Sequence, residues 1–588
     1  MPLTRRQFVH RSLLVGAGAV AGAASVRALQ AHAGSDGAAD AGEIERVAID
    51  TPSATTLDIS YAPVSVTGRR RMAVAVNGSV PGPVLRWQEG QPVIIRVRNH
   101  LPDAATSIHW HGVLVPADMD GVPGLSFPGI PPGGTFDYRF TPRQSGTYWY
   151  HAHSGYQEQQ GLYGAIVIEP AAPSPVHYDR EHVVLLSDWS DEPPARIAAR
   201  LRQSPGYYNH RQRTLGTLLR DIRAHGLTST LSERAMWARM RMSASDLADV
   251  TGETYTFTMN GCPPSRPWTG GWTTGEVLRL RVINGSSMTY FDVRIPGLPL
   301  RVIAADGQEV RPVDVEELRV APGETFDVLV TPGTEPAYCL FAQAMDRSGA
   351  AVGALSRDPG ARPQVPALDP RPILSMADMA MSTEEMKDMA GMDMPDMEMP
   401  RPVHHPRTER RSVYVDMRAE MPMSRLADPG VGLRDDGRRA LVYADLVSLR
   451  PLDAPAPTRT IELHLTGNME RYLWAFDGVP YHEATPIRLA LGERVRFVLV
   501  NDTMMAHPIH LHGLWSDLED AREQVVARKH TIDMPPGSRR SFCVTAEAPG
   551  RWALHCHLLY HMHGGMFREV WVEESPDGPV VSAHESHR

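Results

Sequence analysis

Three widely separated segments of this 588-residue chain follow one pattern. Val93–Asn99 (VIIRVRN), Leu278–Asn284 (LRLRVIN) and Val495–Asn501 (VRFVLVN) each alternate apolar and polar side chains and end on asparagine. Such alternation turns one face of a strand to a core and the other to solvent. Each segment follows a turn dipeptide, Asn77-Gly78, Asn260-Gly261 or Asp477-Gly478, and precedes another, Pro132-Gly133, Pro322-Gly323 or Pro536-Gly537. A unit repeated three times predicts three homologous β-domains, and short strands between turn signals predict antiparallel sandwiches or barrels. The boundaries expected are 40–172, 173–365 and 409–577. With 50 prolines and 49 glycines, the chain has the punctuation that an all-β fold of this kind needs.

Two stretches break the pattern. Residues 191–250 lack strand alternation and are rich in Leu, Arg and Ala, which predicts a partly helical insert in the second domain. There Leu218, Leu219, Met236 and Met240 are expected on helix faces, the methionines as core packing. The second stretch is a linker, 366–408, with nine methionines between Met376 and Met399 interleaved with Asp, Glu and Pro, followed by His404-His405. Other apolar residues are sparse and the acids repel one another, so no core is expected there.

The first 33 residues read as an export signal. Arg5-Arg6 precede an apolar run from Leu13 to Ala24 and a small-x-small site, Ala31-His32-Ala33. That run is too short for a permanent membrane span. Paired arginines resemble a twin-arginine signal, with an ordinary secretory signal as the alternative. Either predicts an exported, periplasmic protein. Removing the segment takes away four arginines and no acids, so the net charge moves from −9 to −13. An acidic chain argues against nucleic acid as a partner and suits the handling of cations. The four cysteines, Cys262, Cys339, Cys543 and Cys556, are too few for a disulfide-built scaffold.

The strongest chemical signal lies at His555-Cys556-His557-Leu558-Leu559-Tyr560-His561-Met562-His563-Gly564-Gly565-Met566. A cysteine with a histidine on each side, another five residues on and a methionine ten residues on offers thiolate, imidazoles and a weak thioether. That is the donor set of a type 1 copper site. Neighbours on a strand point to opposite faces, so His555 and His557 need a second role. Three further pairs supply it: His109-Trp110-His111, His151-Ala152-His153 and His510-Leu511-His512. A shift of 401 residues carries His109 and His111 onto His510 and His512, and a shift of 404 carries His151 and His153 onto His555 and His557. At the same offsets His507 faces Thr106, Cys556 faces Ala152, His561 faces Gln157 and Met566 faces Leu162. Both outer domains therefore carry paired histidines, but only the third carries the cysteine site. Eight imidazoles are too many for one ion and enough for three. The middle domain carries no such pair and is expected to act as a spacer. The nine methionines add soft donors suited to Cu(I), which predicts extra copper capture at 376–399.

These four motifs resemble those of the three-domain multicopper oxidases. The twin-arginine-like signal, the methionine-rich insert and the His-Leu-Leu-Tyr-His-Met ending resemble the copper-resistance (CopA-type) branch. The resemblance implies three cupredoxin-like Greek-key domains and four copper ions. Type 1 copper would take His507, Cys556, His561 and axial Met566; type 2 would take His109 and His510. The type 3 pair would take His111, His151, His153, His512, His555 and His557. It further implies that electrons pass through Cys556, His555 and His557 to a cluster that reduces O₂ to water. Asp120 would serve near the type 2 copper as a proton-handling acid. Some bacterial cuprous oxidases carry a glutamate immediately after the second type 1 histidine, where this chain has Met562 and then His563. Proton delivery then uses another route or involves His563. An axial methionine should keep the type 1 potential moderate, which suits Cu(I) as donor better than a phenol. The expected activity is periplasmic oxidation of Cu(I); a laccase-like oxidase of phenols or amines and a copper-sequestering protein are the alternatives.

Overall fold

The computed structural model describes residues 46–48 and 55–574, except 175, 211, 240–242, 359, 376, 380–402 and 453. The export segment and most of the methionine-rich run lie outside these residues. The three repeated segments are central strands. Val93–Asn99 lies between Thr55–Val64, parallel to it, and Thr135–Phe140, antiparallel. Leu278–Asn284 holds the same place between Arg180–Trp189 and Thr325–Val330. Arg494–Asn501, one residue longer than its sequence pattern, lies between Arg459–Asn468 and Arg539–Thr545. Each sheet is therefore mixed rather than purely antiparallel. Its first strand returns beside a non-sequential neighbour, as a Greek-key connection requires.

A five-stranded sheet accompanies each of these three, making six among the described residues. In the first unit Leu57, Ile95 and Val97 of one sheet share a buried cluster with Trp87, Trp110 and Tyr148 of the other. The inner faces of the second and third units merge into a single larger cluster. Three two-sheet units of this kind are the β-sandwiches expected from the repeats and the cupredoxin-like fold that the resemblance implied.

The repeated turns and asparagines have a common mechanical purpose. Asn77, Asn260 and Asp477 have φ of 51°, 51° and 52°, and the following Gly78, Gly261 and Gly478 are also left-handed. Two positive φ values in succession make the type I′ turn whose twist suits a hairpin. The turn side chain also accepts a backbone N–H from the sheet's first strand: Asp58 at 2.7 Å, Leu185 at 2.7 Å and His464 at 2.8 Å. At the strand ends, Asn99, Asn284 and Asn501 are buried and each clamps the following loop. Their Nδ2 groups donate to the carbonyls of Ala104 and Ile130, of Thr289 and Val320, and of Met505 and Met534. In the outer domains that loop leads to the histidine-bearing strand.

The insert is partly helical, with helices Pro194–Gln203, Leu215–His225 and Leu227–Arg239. The faces expected to be buried are not all so: Leu219 is 58% exposed and Met236 38% exposed. The last helix instead buries Trp237, the neighbour of Met236. Met240 lies outside the described residues. In the linker, Met379 is fully buried beside Leu374, so one of the nine methionines is a core residue after all. Among the described residues no helix is long and apolar enough to cross a membrane.

Candidate metal centre

Two strand pairs build the site. His109–His111 lies antiparallel to Gly146–His151, with His109 opposite His151 and His111 opposite Trp149. In the third unit His507–Leu511 lies against Gly550–Cys556, with His510 opposite His555 and Ile509 opposite Cys556. The residues between paired histidines, Trp110 and Leu511, point the other way into buried apolar clusters. A strand's twofold period thus aims both histidines of a pair one way and anchors the strand on the other.

The four pairs converge. His109 stacks on His512 and His111 on His510, each with ring centroids 3.8 Å apart. The rings of His153 and His555 are 5.1 Å apart, as are those of His151 and His557. Seven of these eight histidines are buried and His153 is half-buried. Nδ1 is committed to a protein acceptor in the rings of His512 and His555, which meet Asp120 Oδ2 and the Cys556 carbonyl at 2.9 Å each, and in three further rings. His109 Nδ1 donates to the Asp120 carbonyl at 2.9 Å, His510 Nδ1 to the His530 carbonyl at 2.6 Å, and His151 Nδ1 meets Glu158 Oε2 at 2.7 Å. The Nε2 atoms of these last three rings have no hydrogen-bond partner, and neither do His111 Nδ1 and both nitrogens of His557. A buried nitrogen without a partner is costly, and so many facing one another are explained by ions that take their lone pairs. Burial also pushes the pKa values of His111, His151, His153, His510, His512 and His557 well down, and that of His555 to about 4, so these rings stay neutral as ligands must.

The cysteine forms a second cluster. Cys556 Sγ lies 3.5 Å from His507 Nδ1 and 3.9 Å from His561 Nδ1, and those two nitrogens are 3.1 Å apart. Met566, fully buried, is held to Cys556 by the Cys556 N–H donating to its carbonyl at 3.2 Å. His507 Nε2 meets Thr503 Oγ1 at 2.7 Å and His561 Nε2 meets Asp249 Oδ2 at 2.7 Å, which leaves the Nδ1 atoms facing the sulfur. Burial holds the Cys556 thiol well above its ordinary pKa, a cost that a bound cation reverses by taking the thiolate.

Asp120 lies buried among the paired histidines. Its Oδ2 lies 2.9 Å from His512 Nδ1 and its backbone carbonyl takes His109 Nδ1, so one residue of the first domain orients a histidine of each outer domain. The next residue must be glycine: Gly121 has φ +80°, and a Cβ there would come within 1.8 Å of the Ile108 carbonyl oxygen. His563 is not among the converging rings; its Nε2 bonds the Gly155 carbonyl at 2.8 Å.

Several residues escaped sequence reasoning. Glu158, Thr503 and His530 touch the paired histidines or the cysteine cluster only through the fold. Asp249 comes from the middle domain, and it also accepts from Tyr472 Oη at 2.9 Å. Gly323, in a middle-domain turn, has its Cβ position 3.1 Å from His557 and 3.2 Å from His111. The middle domain is therefore more than a spacer. Only a composition-neutral loop acid marked Asp249 in the sequence, and nothing distinguished it from others.

Comparison with known proteins agrees with this geometry. Multicopper oxidase family models match residues 58–173, 229–358 and 454–576. A copper resistance protein A homolog from Pseudomonas syringae pv. tomato is 56% identical over 543 residues, covering 88% of this chain and 92% of that protein. Copper resistance protein A of Escherichia coli is 51% identical with the same coverage of both chains. Among solved structures, the laccase of Botrytis aclada superposes with a TM-score of 0.62 at 21% identity over 90% of both chains. Three matched domains, relatives above half identity and eight convergent histidines beside a cysteine cluster lead to one conclusion: this chain belongs to the multicopper oxidase family, in its copper-resistance branch.

Proposed function

We propose that the chain is an exported oxidase that takes electrons from Cu(I) and passes them to O₂, converting the metal to Cu(II) in the periplasm. The observation that carries this reading is the position of Cys556. Its sulfur faces His507 and His561, while its two chain neighbours, His555 and His557, belong to the eight-histidine cluster. On this reading His507, Cys556, His561 and Met566 hold a type 1 copper. His109 and His510 hold a type 2 copper, and His111, His151, His153, His512, His555 and His557 hold a type 3 pair. Bound there, the four coppers would supply one-electron relay and the reduction of O₂ to water.

The chain's own groups prepare that chemistry. Asp120, Glu158 and the His530 carbonyl fix ring tautomers, so that lone pairs rather than N–H groups face the cluster centre. Thr503 and Asp249 do the same for the cysteine site. Enclosure keeps water from the thiolate, and Asp120 offers an acceptor for protons, its Oδ1 having no hydrogen-bond partner. A groove lined by Trp237, Asp246, Met469, Glu470 and Met504, together with Arg213 and Arg234, brings thioethers and carboxylates to one surface, donors that suit a copper ion. The methionine-dense run 376–399 adds soft donors for the same substrate.

O₂ uptake by the copper-loaded protein, with Cu(I) and with a phenol, tests this, in wild type and in a variant lacking 376–399. Faster oxidation of Cu(I), slowed by the deletion, is the expected result. Phenol oxidation at least as fast, with no effect of the deletion, would indicate a laccase-like oxidase. No uptake with either donor would indicate sequestration. Cys556→Ser should lose blue absorption and turnover together, and a variant that remains blue refutes the assignment of the cysteine site.

A further inference from the structure

A second group of histidines and carboxylates is buried in the third domain, apart from the paired histidines. His464 lies on strand Arg459–Asn468, Asp502 directly follows strand Arg494–Asn501, and His405 and Glu409 come from the end of the linker. His464 Nδ1 is 2.7 Å from Asp502 Oδ2 and 3.5 Å from Glu409 Oε1. His405 Nδ1 is 3.0 Å from Glu409 Oε2 and 3.5 Å from the same Asp502 oxygen. The rings are tilted with centroids 4.8 Å apart. Ligand bonds of about 2.0–2.2 Å place neighbouring donors around one ion about 3 Å apart, the spacing seen here.

Charge and orientation point the same way. Arg418 stands 3.3 Å from Glu409 Oε2, in a pocket that also holds Asp502 and the half-buried Glu462. Arg539 also acts on Glu462, and the Asp477 carboxylate nearby is offset by Arg568. With both imidazoles neutral, the carboxylates that meet in the pocket outnumber the guanidinium that touches them. Imidazole protons or a divalent cation can balance the excess. Glu409 Oε1, fully buried, still makes no hydrogen bond. Glu462 Oε1 stands 3.4 Å from His464 Nε2, the arrangement in which a carboxylate holds a histidine's outer nitrogen and leaves the inner one for a metal. Asp502 Oδ1 is itself anchored by the Ala419 N–H at 2.7 Å.

We propose that His405, His464, Glu409 and Asp502, brought together at the end of the methionine-rich linker, form a separate site for a divalent cation, with Cu(II) as the ion it takes. Two imidazoles and two carboxylates are borderline-to-hard donors, and Cu(II) heads the affinity order for such sites. The thioethers of 376–399, just before His404-His405 in the chain, suit Cu(I) instead. On binding, the ion displaces the Nδ1 protons of His405 and His464. His405, the one part-exposed ligand, gives the ion its way in. Asp502 precedes Thr503, the residue bonded to His507, so an ion here also stiffens the loop that leads to the cysteine cluster. The site does not depend on the proposed donor of the oxidase.

The test uses the copper-loaded full chain, exposed to excess Cu(II), desalted, and examined by metal analysis and EPR beside His405→Ala and Glu409→Gln. Wild type should retain one more Cu(II) per chain than either variant. Its additional axial EPR signal, with nitrogen hyperfine structure, should be missing from both, and blue absorption should be equal in all three. Equal copper content and identical EPR signals in wild type and variants would overturn the proposal. So would loss of the extra copper together with the blue band in both variants, because the copper lost would then be a resident one.

Discussion

Asp120 and Asp249 are single carboxylates that hold the outer nitrogens of histidines proposed as copper ligands. Asp120 touches His109 and His512, one from each outer domain, and Asp249 carries a middle-domain charge to His561. Groups that hold a ligand's second nitrogen typically change metal affinity or activity by about 10–100-fold. Asp120→Ala should therefore slow O₂ consumption by about that factor while blue absorption stays, read by oxygen electrode and visible spectrum. Asp249→Ala should do the reverse. It should weaken retention of the blue copper against a chelator by about 10–100-fold and leave the copper content of the histidine cluster intact. Neither residue stands out in the sequence as Cys556 does. Asp120 could be inferred because the resembling family keeps an acid at that place after its histidine pair; Asp249 could not, because no motif lies beside it in the chain.

At the scale of elements, the terminal asparagine of each central strand links the fold to the site. Asn501 gives both Nδ2 hydrogens to loop carbonyls while its Oδ1 accepts from the Thr503 N–H at 2.9 Å, the same threonine that orients His507. Asn99 makes the equivalent bonds in the first domain. Replacing either by alanine leaves buried backbone groups unpaired, at on the order of 3 kcal/mol. In thermal unfolding followed by circular dichroism, both variants should melt earlier than wild type. Only Asn501→Ala should also bleach the blue band well before the strands melt. The repeated asparagine was legible as a strand end. Its clamp was not, since a hydrogen bond to a loop carbonyl leaves no trace in the identity of the acceptor.

For the molecule as a whole, so many neutral buried imidazoles make stability depend on pH. In the unfolded chain these rings titrate near 6.5, whereas burial holds His555 near 4 and its neighbours lower than usual. Above pH 6.5 neither state is protonated and nothing is lost. As pH falls from 6.5 the unfolded chain takes up protons that the folded cluster refuses, so each such ring removes about 1.4 kcal/mol of stability per pH unit. The metal-free melting temperature should thus fall steeply between pH 6.5 and 4, and copper should resist the fall until protons outcompete it. His464 has the opposite sign. Its raised pKa, about 10, contributes stability that is complete below 6.5 and is lost as pH rises through 10. An acid-side loss in the His464→Gln variant as large as in wild type would confirm that the two clusters act separately.

The sequence alone determined the three β-units, the four histidine pairs and the cysteine between two of them. These are written in local spacing: a strand's period of two, a left-handed turn and a fixed offset between repeats are all properties of near neighbours. It made Met236 a core residue and Met379 part of a coreless linker, whereas the structure exposes the first and buries the second. Only the tertiary structure decided which carboxylates serve which histidines, that the middle domain reaches the cysteine cluster, and that His405 meets His464. Those pairings join distant segments through side chains that any surface loop can carry, so burial and distance select them and residue type does not.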